Sequence, residues 1–329
     1  MNKTLMAILK VLNAHQDRII GSREISRELR LYGVNLSERT VRYHLRILDE
    51  RGLTESFGRE GRKITEKGKV ELINSLVSEK VGFVISRIDT LSYLTNFDVM
   101  GMKGEVIVNV SFIRKSDLKD AMRIMKRVFS SPFVMSDRVA ILDEGDKIGD
   151  ILVPEEKVAI ATVCSVTING IFLKDGIPVS SRFGGVLEIY KKKPTRFVAL
   201  ISYEGSSLDP LEVFIRGKMT DVTHAVKNGD GRVLASFREI PVVCYERAIE
   251  LAEELKTRGI GGILSIGQPN TSLYEMPVGI DKVGMVIVGG LNPIAAIEEA
   301  GLPTDSKAMS TLCDYSELRP FKDWYNELK

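Results

Sequence analysis

The sequence predicts an α+β protein of two parts, a small N-terminal helical domain (residues 1–77) and a larger mixed domain (residues 80–329). Three observations lead to this prediction. Apolar residues recur at helical spacing along the first 50 positions, a glycine-rich basic segment follows them, and beyond residue 80 strand-like apolar runs alternate with helical patterns. Strands mixed with helices over such a length are typical of α+β or α/β architectures.

Length and composition exclude several classes of protein. The chain has 329 residues, more than one small domain needs, and 44% of them are apolar, which suffices for buried cores. No apolar run reaches the roughly 18 residues of a membrane-spanning helix, so no membrane partner is expected. The N-terminus shows no signal-peptide pattern, and three widely spaced cysteines favour a reducing cytoplasm.

The net charge of +2 conceals an asymmetry between the two domains. Residues 1–70 hold 15 Lys and Arg against 9 Asp and Glu, whereas residues 71–329 hold 31 against 35. The positive charge is therefore concentrated at the N-terminus. Such a distribution is typical of a nucleic-acid-binding module joined to a domain with another role.

Three helices are expected in the N-terminal domain. The first carries the apolar stripe Leu5, Ile8, Leu9 and Leu12. Ser22 and Ser37 are residue types that cap helices, and they are expected to begin the second and third. Val41, Leu45 and Leu48 point the third helix into the core, so its basic and hydroxyl-bearing side chains face outward.

The order of elements predicts a winged helix-turn-helix with the third helix as its recognition helix. Gly52–Phe57 starts a strand, Gly58–Lys63 turns it, and another helix follows. Arginine can bond two acceptors of guanine in the major groove, and basic residues at a wing tip suit phosphates. The predicted DNA-binding residues are Ser37, Arg39, Thr40, Arg42, Tyr43, Arg46, Arg59, Arg62 and Lys63. His44, beside the core stripe, is expected to be structural.

One winged helix binds a short DNA site weakly, so a dimer on two half-sites is expected. Nothing in the first 75 residues is long enough to dimerise alone, which assigns dimerisation to the larger domain. A helix over Glu66–Val77 and a linker at Ser78–Lys80 are expected to join the two domains.

Strand-like runs dominate the larger domain. They are Val81–Ile85, Glu105–Ile113, Val139–Leu142, Val158–Ile168, Val186–Ile189, Arg196–Tyr203 and Val283–Val288. Helical patterns lie between them, at Asp117–Val128 and Pro241–Arg258.

A weak internal repeat predicts two related halves in the larger domain. Pro178-Val179, Gly184–Val186 and Leu208–Leu211 are followed by a similar series, Pro277-Val278, Gly284–Val286 and Leu291–Ile294. Clefts between such halves often bind ligands. Glycine clusters are candidates for anion-binding backbone nests, although turns alone also explain them. These clusters are Asn169-Gly170, Arg182–Gly185, Gly259–Gly262 and Gly289–Pro293.

An ordered series of motifs runs along the larger domain. They are Val163–Gly170, Gly176–Val179, Arg182–Glu188, Leu208–Phe214, Met219-Thr220, Phe237–Pro241, Gly289–Pro293 and Ala308–Ser310. Together with the winged helix, this series resembles the archaeal nitrogen-regulatory repressors, the NrpR family, over essentially the whole chain. The resemblance implies a cytoplasmic repressor of nitrogen-fixation and ammonia-assimilation genes. It also implies that 2-oxoglutarate releases the protein from double-stranded operator DNA.

One departure from the family concerns domain number. Many NrpR members carry two tandem regulatory domains, whereas this sequence has room for one. Two arrangements therefore stay open. The chain forms a homodimer, or it requires a second regulatory-domain chain that lacks the winged helix.

The implied effector carries two carboxylates and a keto oxygen, so its site needs several hydrogen-bond donors. Arginine is the most specific donor, because it binds carboxylates bidentately. The candidate effector-binding residues are Cys164, Ser165, Thr167, Asn169, Arg182, Gly184, Gly185, Thr220, Gly290 and Asn292. For Cys164, a buried core position is an equally good interpretation.

Two other classes of function are considered. An enzyme with a DNA-binding appendage is disfavoured, because no metal-ligand spacing, no GxSxG motif and no P-loop occur. Cys164 or Cys244 with His224 offers the only nucleophile–base pairing, without supporting context. No catalytic residue, metal or cofactor is predicted. The other alternative is a regulator that answers a different small acid or acts through a partner chain.

Overall fold

The computed structural model describes residues 3–16, 18–75 and 82–328. Contacts divide the chain into two compact units, Met1–Val81 and Gly82–Lys329, which are described separately. The domain boundary and linker predicted between residues 77 and 80 lie outside the described residues, as does the end of the helix predicted over Glu66–Val77. No helix of the described residues is long and apolar enough to cross a membrane.

The N-terminal unit is a winged helix, which confirms the prediction. Its elements are α1 (Lys3–Ala14), α2 (Ser22–Glu28), α3 (Glu38–Glu50), β1 (Thr54–Ser56), β2 (Arg62–Ile64) and α4 (Glu66–Ser75). β1 and β2 form an antiparallel hairpin, and β2 also bridges to Ile20 ahead of α2. Ser22 does not cap α2 as expected, because it is the helix's first residue and Gly21 occupies the cap position. Ser22 Oγ instead donates to Glu38 Oε1 at 3.2 Å and thereby joins α2 to α3.

The larger unit is a mixed α/β structure, as predicted. It begins with α5 (Phe83–Leu94), β3 (Glu105–Arg114), α6 (Leu118–Phe129), β4 (Arg138–Leu142), β5 (Lys147–Ile148), β6 (Ile151–Leu152), β7 (Lys157–Val163), α7 (Val166–Lys174), β8 (Ser180–Tyr190) and β9 (Lys193–Ser202). It continues with α8 (Pro210–Arg216), α9 (Val222–Asn228), β10 (Gly231–Pro241), α10 (Tyr245–Thr257), β11 (Ile263–Ile266), β12 (Lys282–Val288), α11 (Asn292–Glu299), β13 (Asp305–Asp314), β14 (Arg319–Pro320) and α12 (Phe321–Glu327).

Two five-stranded antiparallel sheets organise this unit. Their strand orders are β13-β3-β7-β4-β14 and β11-β12-β10-β8-β9. The series β3-α6-β4-β7-α7-β8 recurs as β10-α10-β11-β12-α11-β13, and a short 3₁₀ turn precedes both α6 and α10. The final strand of each series joins the sheet of the other, since β8 pairs with β10 and β13 pairs with β3.

The larger unit therefore has two related halves, but the predicted register of the repeat is wrong. Pro178 was aligned with Pro277, whereas the matching strands β8 and β13 begin at Ser180 and Asp305. The exchange of strands explains the error. Because of this exchange the two halves share a single apolar core. Which residues of one half are buried therefore depends on the strand that the other half contributes.

Two predicted strands are wrong in whole or in part. Phe83–Ile85 lies at the start of α5, whose buried residues Val84, Ile88 and Leu91 recur at helical spacing. The run predicted as one strand over Val158–Ile168 turns at Cys164 and continues as α7. Residues 166–172 of that helix are all buried, so it has no polar face from which a helical period is read.

Candidate functional site

Helix α3 has the construction of a recognition helix. Ser37 caps it by accepting a hydrogen bond from the Thr40 backbone N–H at 3.2 Å, and Ser37 Oγ also lies 2.8 Å from Thr40 Oγ1. Val41, Leu45 and Leu48 are fully buried and anchor the helix in the core of the unit. Its opposite face is consequently directed to solvent.

The exposed face of α3 carries the predicted DNA-binding side chains. Arg39, Arg42 and Arg46 are exposed, and 61% of Tyr43 is accessible. Positions three, four and seven apart lie on one side of a helix, so these four side chains form a continuous surface. Arg42 is partly engaged, because it pairs with Glu38 one turn earlier. This exposed pair is of the kind that contributes little to stability.

The three basic residues predicted at the wing differ in their exposure. Arg59 is exposed in the turn, whereas Lys63 is half-buried. Arg62 is also half-buried and pairs with Asp49 at 3.1 Å, while Asp49 accepts from Thr54 Oγ1 as well. The side chain of Arg62 thus holds the hairpin against α3, so it is less accessible to DNA than Arg59.

In the larger unit, a buried arginine contacts residues of another of the motifs that the sequence analysis identifies. Arg238, on β10, is 1% exposed. It donates to the Ser165 carbonyl oxygen and to Ser165 Oγ, each at 2.9 Å, and to Asn169 Oδ1. Asn169 Nδ2 in turn donates to Ser181 Oγ at 3.0 Å. We call Arg238, Ser165, Asn169 and Ser181 the Arg238 cluster.

The charge of Arg238 has no counterion in this arrangement. Among the described residues no carboxylate lies within 4.0 Å of its guanidinium, and its Nε is buried without a hydrogen-bond partner. Burial lowers the pKa of Arg238 to about 10. A buried cation without a partner is destabilising, so such a group commonly marks a site that binds an anion.

The Arg238 cluster adjoins the inner face of α5. Val84, Ile88 and Leu91 of α5 pack in one apolar group with Cys164 and Tyr203. Burial raises the pKa of Cys164 to about 11 and raises that of Tyr203 well above its usual value. Both groups therefore stay neutral near pH 7, and the inner face of α5 packs in the same apolar group as them.

Asp209 is an acidic residue whose charge acts on Cys164 and Tyr203. It caps α8 by accepting from the backbone N–H groups of Leu211 and Glu212, at 2.8 and 3.3 Å. Burial, followed by the negative charge of Glu212, raises the pKa of Asp209 to about 7. The carboxyl group is thus partly protonated near neutral pH.

The structure brings together four of the ten predicted effector residues. Ser165 and Asn169 hold Arg238, Cys164 adjoins it, and Gly184 supplies a flat packing surface. A Cβ on Gly184 would lie 2.7 Å from Pro210 Cβ and 3.0 Å from the Tyr203 hydroxyl. Gly184 thus serves close packing within a strand rather than an anion-binding nest.

Two predicted donors, Thr167 and Asn292, are used inside the fold, and a third predicted residue, Gly290, lies in a closely packed turn. Thr167 Oγ1 exchanges hydrogen bonds with the backbone of Ile107. Asn292 is fully buried, accepting from Leu234 N–H at 2.8 Å and donating to the carbonyl oxygens of Phe133 and Leu234. Gly290 is closely packed, because a Cβ there would lie 2.2 Å from the Val163 carbonyl oxygen.

The remaining three predicted residues lie away from the Arg238 cluster. Arg182 is half-exposed and lies 3.5 Å from Glu239, which follows Arg238 in β10 and therefore points to the other face of the sheet. Gly185 packs against β9. Thr220 precedes α9, whose first N–H groups are occupied by the Glu299 carboxylate.

The structure does not assemble the alternative cysteine–histidine pair. His224 Nδ1 lies 3.2 Å from Asp221 Oδ1, and among the described residues no cysteine hydrogen-bonds to a histidine. Residues 3–16, 18–75 and 82–328 contain no group of three His, Cys, Asp or Glu side chains placed to hold a metal ion.

Arg238 lies within the motif Phe237–Pro241 but is not among the residues that the sequence predicts for the effector site. The signal that could have found it is local, because Arg238 and Glu239 interrupt the apolar run from Val233 to Ile240. A charge inside a run that reads as a buried strand is rare unless it is paired or functional.

Comparisons with known proteins agree along the whole chain. A family model described as "NrpR regulatory domains NRD1 and 2" matches residues 81–320, and one described as "Ribonuclease R winged-helix domain" matches residues 6–72. The chain is 38% identical to "Global nitrogen regulator NrpRI" of Methanosarcina mazei, over 97% of this chain and 98% of that protein.

Two further relatives extend this likeness. The chain is 34% identical to "Global nitrogen regulator NrpR" of Methanocaldococcus jannaschii over 98% of its own length but 56% of that protein. A crystal structure of a nitrogen repressor-like protein from Methanococcus jannaschii is 35% identical, with a TM-score of 0.62, and covers 72% of this chain and 98% of that one.

Proposed function

We propose that this chain, which belongs to the NrpR family of nitrogen regulators, represses nitrogen-assimilation and nitrogen-fixation genes and leaves operator DNA when 2-oxoglutarate binds. The observation that carries the proposal is that one chain holds two features. The winged helix has an exposed basic face on α3, and the larger unit contains Arg238, which is buried without a counterion. The first supplies an output on DNA, and the second supplies an anion-sensitive input.

On DNA, the side chains of Arg39, Arg42, Tyr43 and Arg46 read base edges from the major groove. Arg59 contacts the backbone or the minor groove from the wing. The protein acts in the cytoplasm as a dimer, because two half-sites are needed for a tight and specific complex. A second regulatory-domain chain is the alternative route to that dimer.

On the effector side, one carboxylate of 2-oxoglutarate takes the free Nε edge of Arg238. A carboxylate there neutralises the buried charge and accepts from the Nε–H, which has no partner otherwise. Ser165, Asn169 and Ser181 supply the remaining polar contacts.

Entry of the acid displaces α5, whose Val84, Ile88 and Leu91 pack with Cys164 and Tyr203 beside the cluster. α5 is also the first described element after the winged helix in the chain. A ligand that binds better when α5 is displaced therefore shifts the population away from the DNA-binding form.

The proposal is tested by fluorescence anisotropy of a labelled palindromic promoter fragment from a nitrogen-assimilation gene, at fixed salt, with and without millimolar 2-oxoglutarate. Tight binding that the acid reverses supports both halves of the proposal. Succinate and citrate serve as controls for a general effect of organic anions. Binding that no acid affects would contradict 2-oxoglutarate as the effector of this chain alone, and absence of binding would contradict the DNA-binding half.

A further inference from the structure

The larger unit contains a second polar feature, remote in the fold from the Arg238 cluster. A cavity of about 740 Å³ opens between α6, α9, α12 and the turn that joins β8 to β9. Its polar lining includes Arg123, Lys126, Arg127, Lys192, Lys227 and Tyr325. We call this cavity the basic cavity. None of its lining residues belongs to the Arg238 cluster.

The basic cavity concentrates positive charge on a unit that is otherwise acidic. Five Lys and Arg residues line it and no Asp or Glu does, although residues 71–329 as a whole hold 31 basic and 35 acidic residues. Among the described residues, no carboxylate lies within 4.0 Å of Arg127, Lys192 or Lys227. These cations are therefore available to a ligand.

The remaining two cations are only loosely engaged. Arg123 pairs with Asp120 at 2.9 Å, but both side chains are more than half exposed, and such pairs contribute little. Lys126 Nζ lies 4.5 Å from the centre of the Tyr325 ring.

Capping of α6 does not explain these basic residues. Cations often complement the last carbonyl groups of a helix. Here Ser130 Oγ donates to the Lys126 carbonyl oxygen at 2.9 Å, and Ser131 Oγ donates to that of Val128 at 2.6 Å. The serines already satisfy the end of α6, so the charges of Lys126 and Arg127 are not needed there.

The backbone that presents Lys192 is strained. Lys191 and Lys192 form the two-residue turn between β8 and β9, with φ of 51° and 64°. Such turns strongly favour Asn and Gly at these positions, since other side chains tolerate positive φ poorly. The Lys192 N–H donates to the Gly229 carbonyl oxygen at 2.7 Å and fixes the turn against the end of α9. Strain of this kind is concentrated at functional sites.

We propose that the basic cavity binds a nucleoside di- or triphosphate. Its volume lies in the roughly 300–1,000 Å³ range of small-molecule sites. Arginine and lysine are the residues that recognise phosphates. Five cations suit a polyphosphate better than a dicarboxylate with two charges. Tyr325, which also lines the cavity, gives the base an aromatic surface.

Such a ligand connects the first copy of the repeat to the segment that joins the two copies. Arg127 lies on α6 of the first copy, whereas Lys227 follows β9 and precedes the second copy. Bound phosphates neutralise the repulsion between the two groups and favour the arrangement that holds them together. The inference is independent of which acid the Arg238 cluster binds.

Isothermal titration of the full chain at about 150 mM salt tests the proposal, with ATP, ADP, adenosine, tripolyphosphate and 2-oxoglutarate as separate titrants. The test variant is Arg127→Gln/Lys227→Gln. The matched control is Lys147→Gln/Lys174→Gln, which removes two exposed charges outside the cavity. Thermal unfolding verifies that both variants fold.

We expect ATP or ADP to bind, adenosine not to bind, and the affinity to fall at least tenfold in the test variant but not in the control. Failure of ATP and ADP to bind at millimolar concentration would overturn the proposal. Tripolyphosphate binding as tightly as ATP would overturn the role of the nucleoside, and displacement of ATP by 2-oxoglutarate would identify the cavity as a site for organic acids. Loss of operator affinity in the test variant, without nucleotide binding to the wild type, would assign the cavity to DNA.

Discussion

The side chain of Arg238, on β10, reaches the beginning of α7, where it donates to both the carbonyl oxygen and the hydroxyl of Ser165 at 2.9 Å. The two residues lie 73 positions apart in the chain. β10 belongs to the second copy of the repeat and α7 to the first, so this contact joins the two halves of the larger unit at its buried cationic centre. A change in the hydrogen bonds of Arg238 therefore affects both halves.

Replacement of Arg238 tests the effector site directly. In Arg238→Met we expect operator binding without effector to persist and the concentration of 2-oxoglutarate for half-maximal release to rise at least tenfold. The reason is that hydrogen bonds to charged groups contribute about 1.5–3 kcal/mol each. Anisotropy titrations measure both quantities. Arg232→Met, an exposed arginine on the same strand, is the control. An unchanged response of Arg238→Met would place the acid elsewhere.

Arg39 and Arg62 are both basic residues of the winged helix, but we expect the loss of Arg39 to affect DNA affinity and the loss of Arg62 to affect stability. Arg39→Ala removes an exposed side chain, so operator affinity falls by about 1–3 kcal/mol while the melting temperature is unchanged. Arg62→Ala leaves the half-buried Asp49 without its cation, so the melting temperature falls. Anisotropy and calorimetry on the same samples separate the two. A melting temperature of Arg62→Ala equal to that of the wild type would show that the Arg62–Asp49 pair contributes nothing to stability.

Gly290 is expected to matter for packing rather than for ligand binding. In Gly290→Ala the new Cβ meets the Val163 carbonyl oxygen at 2.2 Å and Asn109 Nδ2 at 2.7 Å. We expect the free energy of unfolding to fall by about 1–3 kcal/mol, as is usual for overpacked interiors. Urea titration measures it. Gly261→Ala, where the nearest atom is 3.9 Å away, is the control. Equal stabilities of the two variants would contradict the close approach between the β12–α11 turn and the end of β7.

Asp209 predicts a pH dependence of stability with a definite sign. Its folded pKa of about 7 lies above the ordinary value of 3.8, so between these two values the folded state holds a proton that the unfolded state has lost. Its stabilising contribution is complete below pH 3.8 and is lost as the pH rises to 7, at no more than about 1.4 kcal/mol per pH unit.

The matching variant is Asp209→Asn, which keeps an acceptor for the Leu211 and Glu212 N–H groups but does not titrate. Urea unfolding at pH 5, 6 and 7 is expected to show the wild type losing stability relative to the variant as the pH rises. Parallel profiles of the two proteins would mean that Asp209 ionises normally.

The three cysteines should differ in reactivity. Cys164 and Cys313 are buried, and burial raises their pKa to about 11 and about 12, so few thiolates form at pH 8. Cys244 is half-buried and should react first with iodoacetamide in the native protein. Peptide mass spectrometry after short exposure gives the order. Because α5 packs in one apolar group with Cys164, faster labelling of Cys164 when 2-oxoglutarate is present would report displacement of α5.

The winged helix was predictable because its signals are local. The cap at Ser37, the apolar spacing of Val41, Leu45 and Leu48, and the glycines of the wing all act within a few residues of one another. In the larger domain the same reasoning located β3, α6 and β12 but read the start of α5 and of α7 as strands. A short apolar run looks the same whether it is buried as a helix or as a strand.

The sequence by itself determined the winged helix, the outward face of α3 and the excess of positive charge at the N-terminus, since periodicity and composition encode them directly. Only the tertiary structure decided that β8 and β13 exchange between halves, that Arg62 is held by Asp49, and that Arg182 and Asn292 are engaged elsewhere. The same holds for the meeting of Arg238 with Ser165 and Asn169. The physical reason is that hydrogen bonds and burial between distant segments leave no periodic trace in either segment, so a buried charge shows its partners only after the chain has folded.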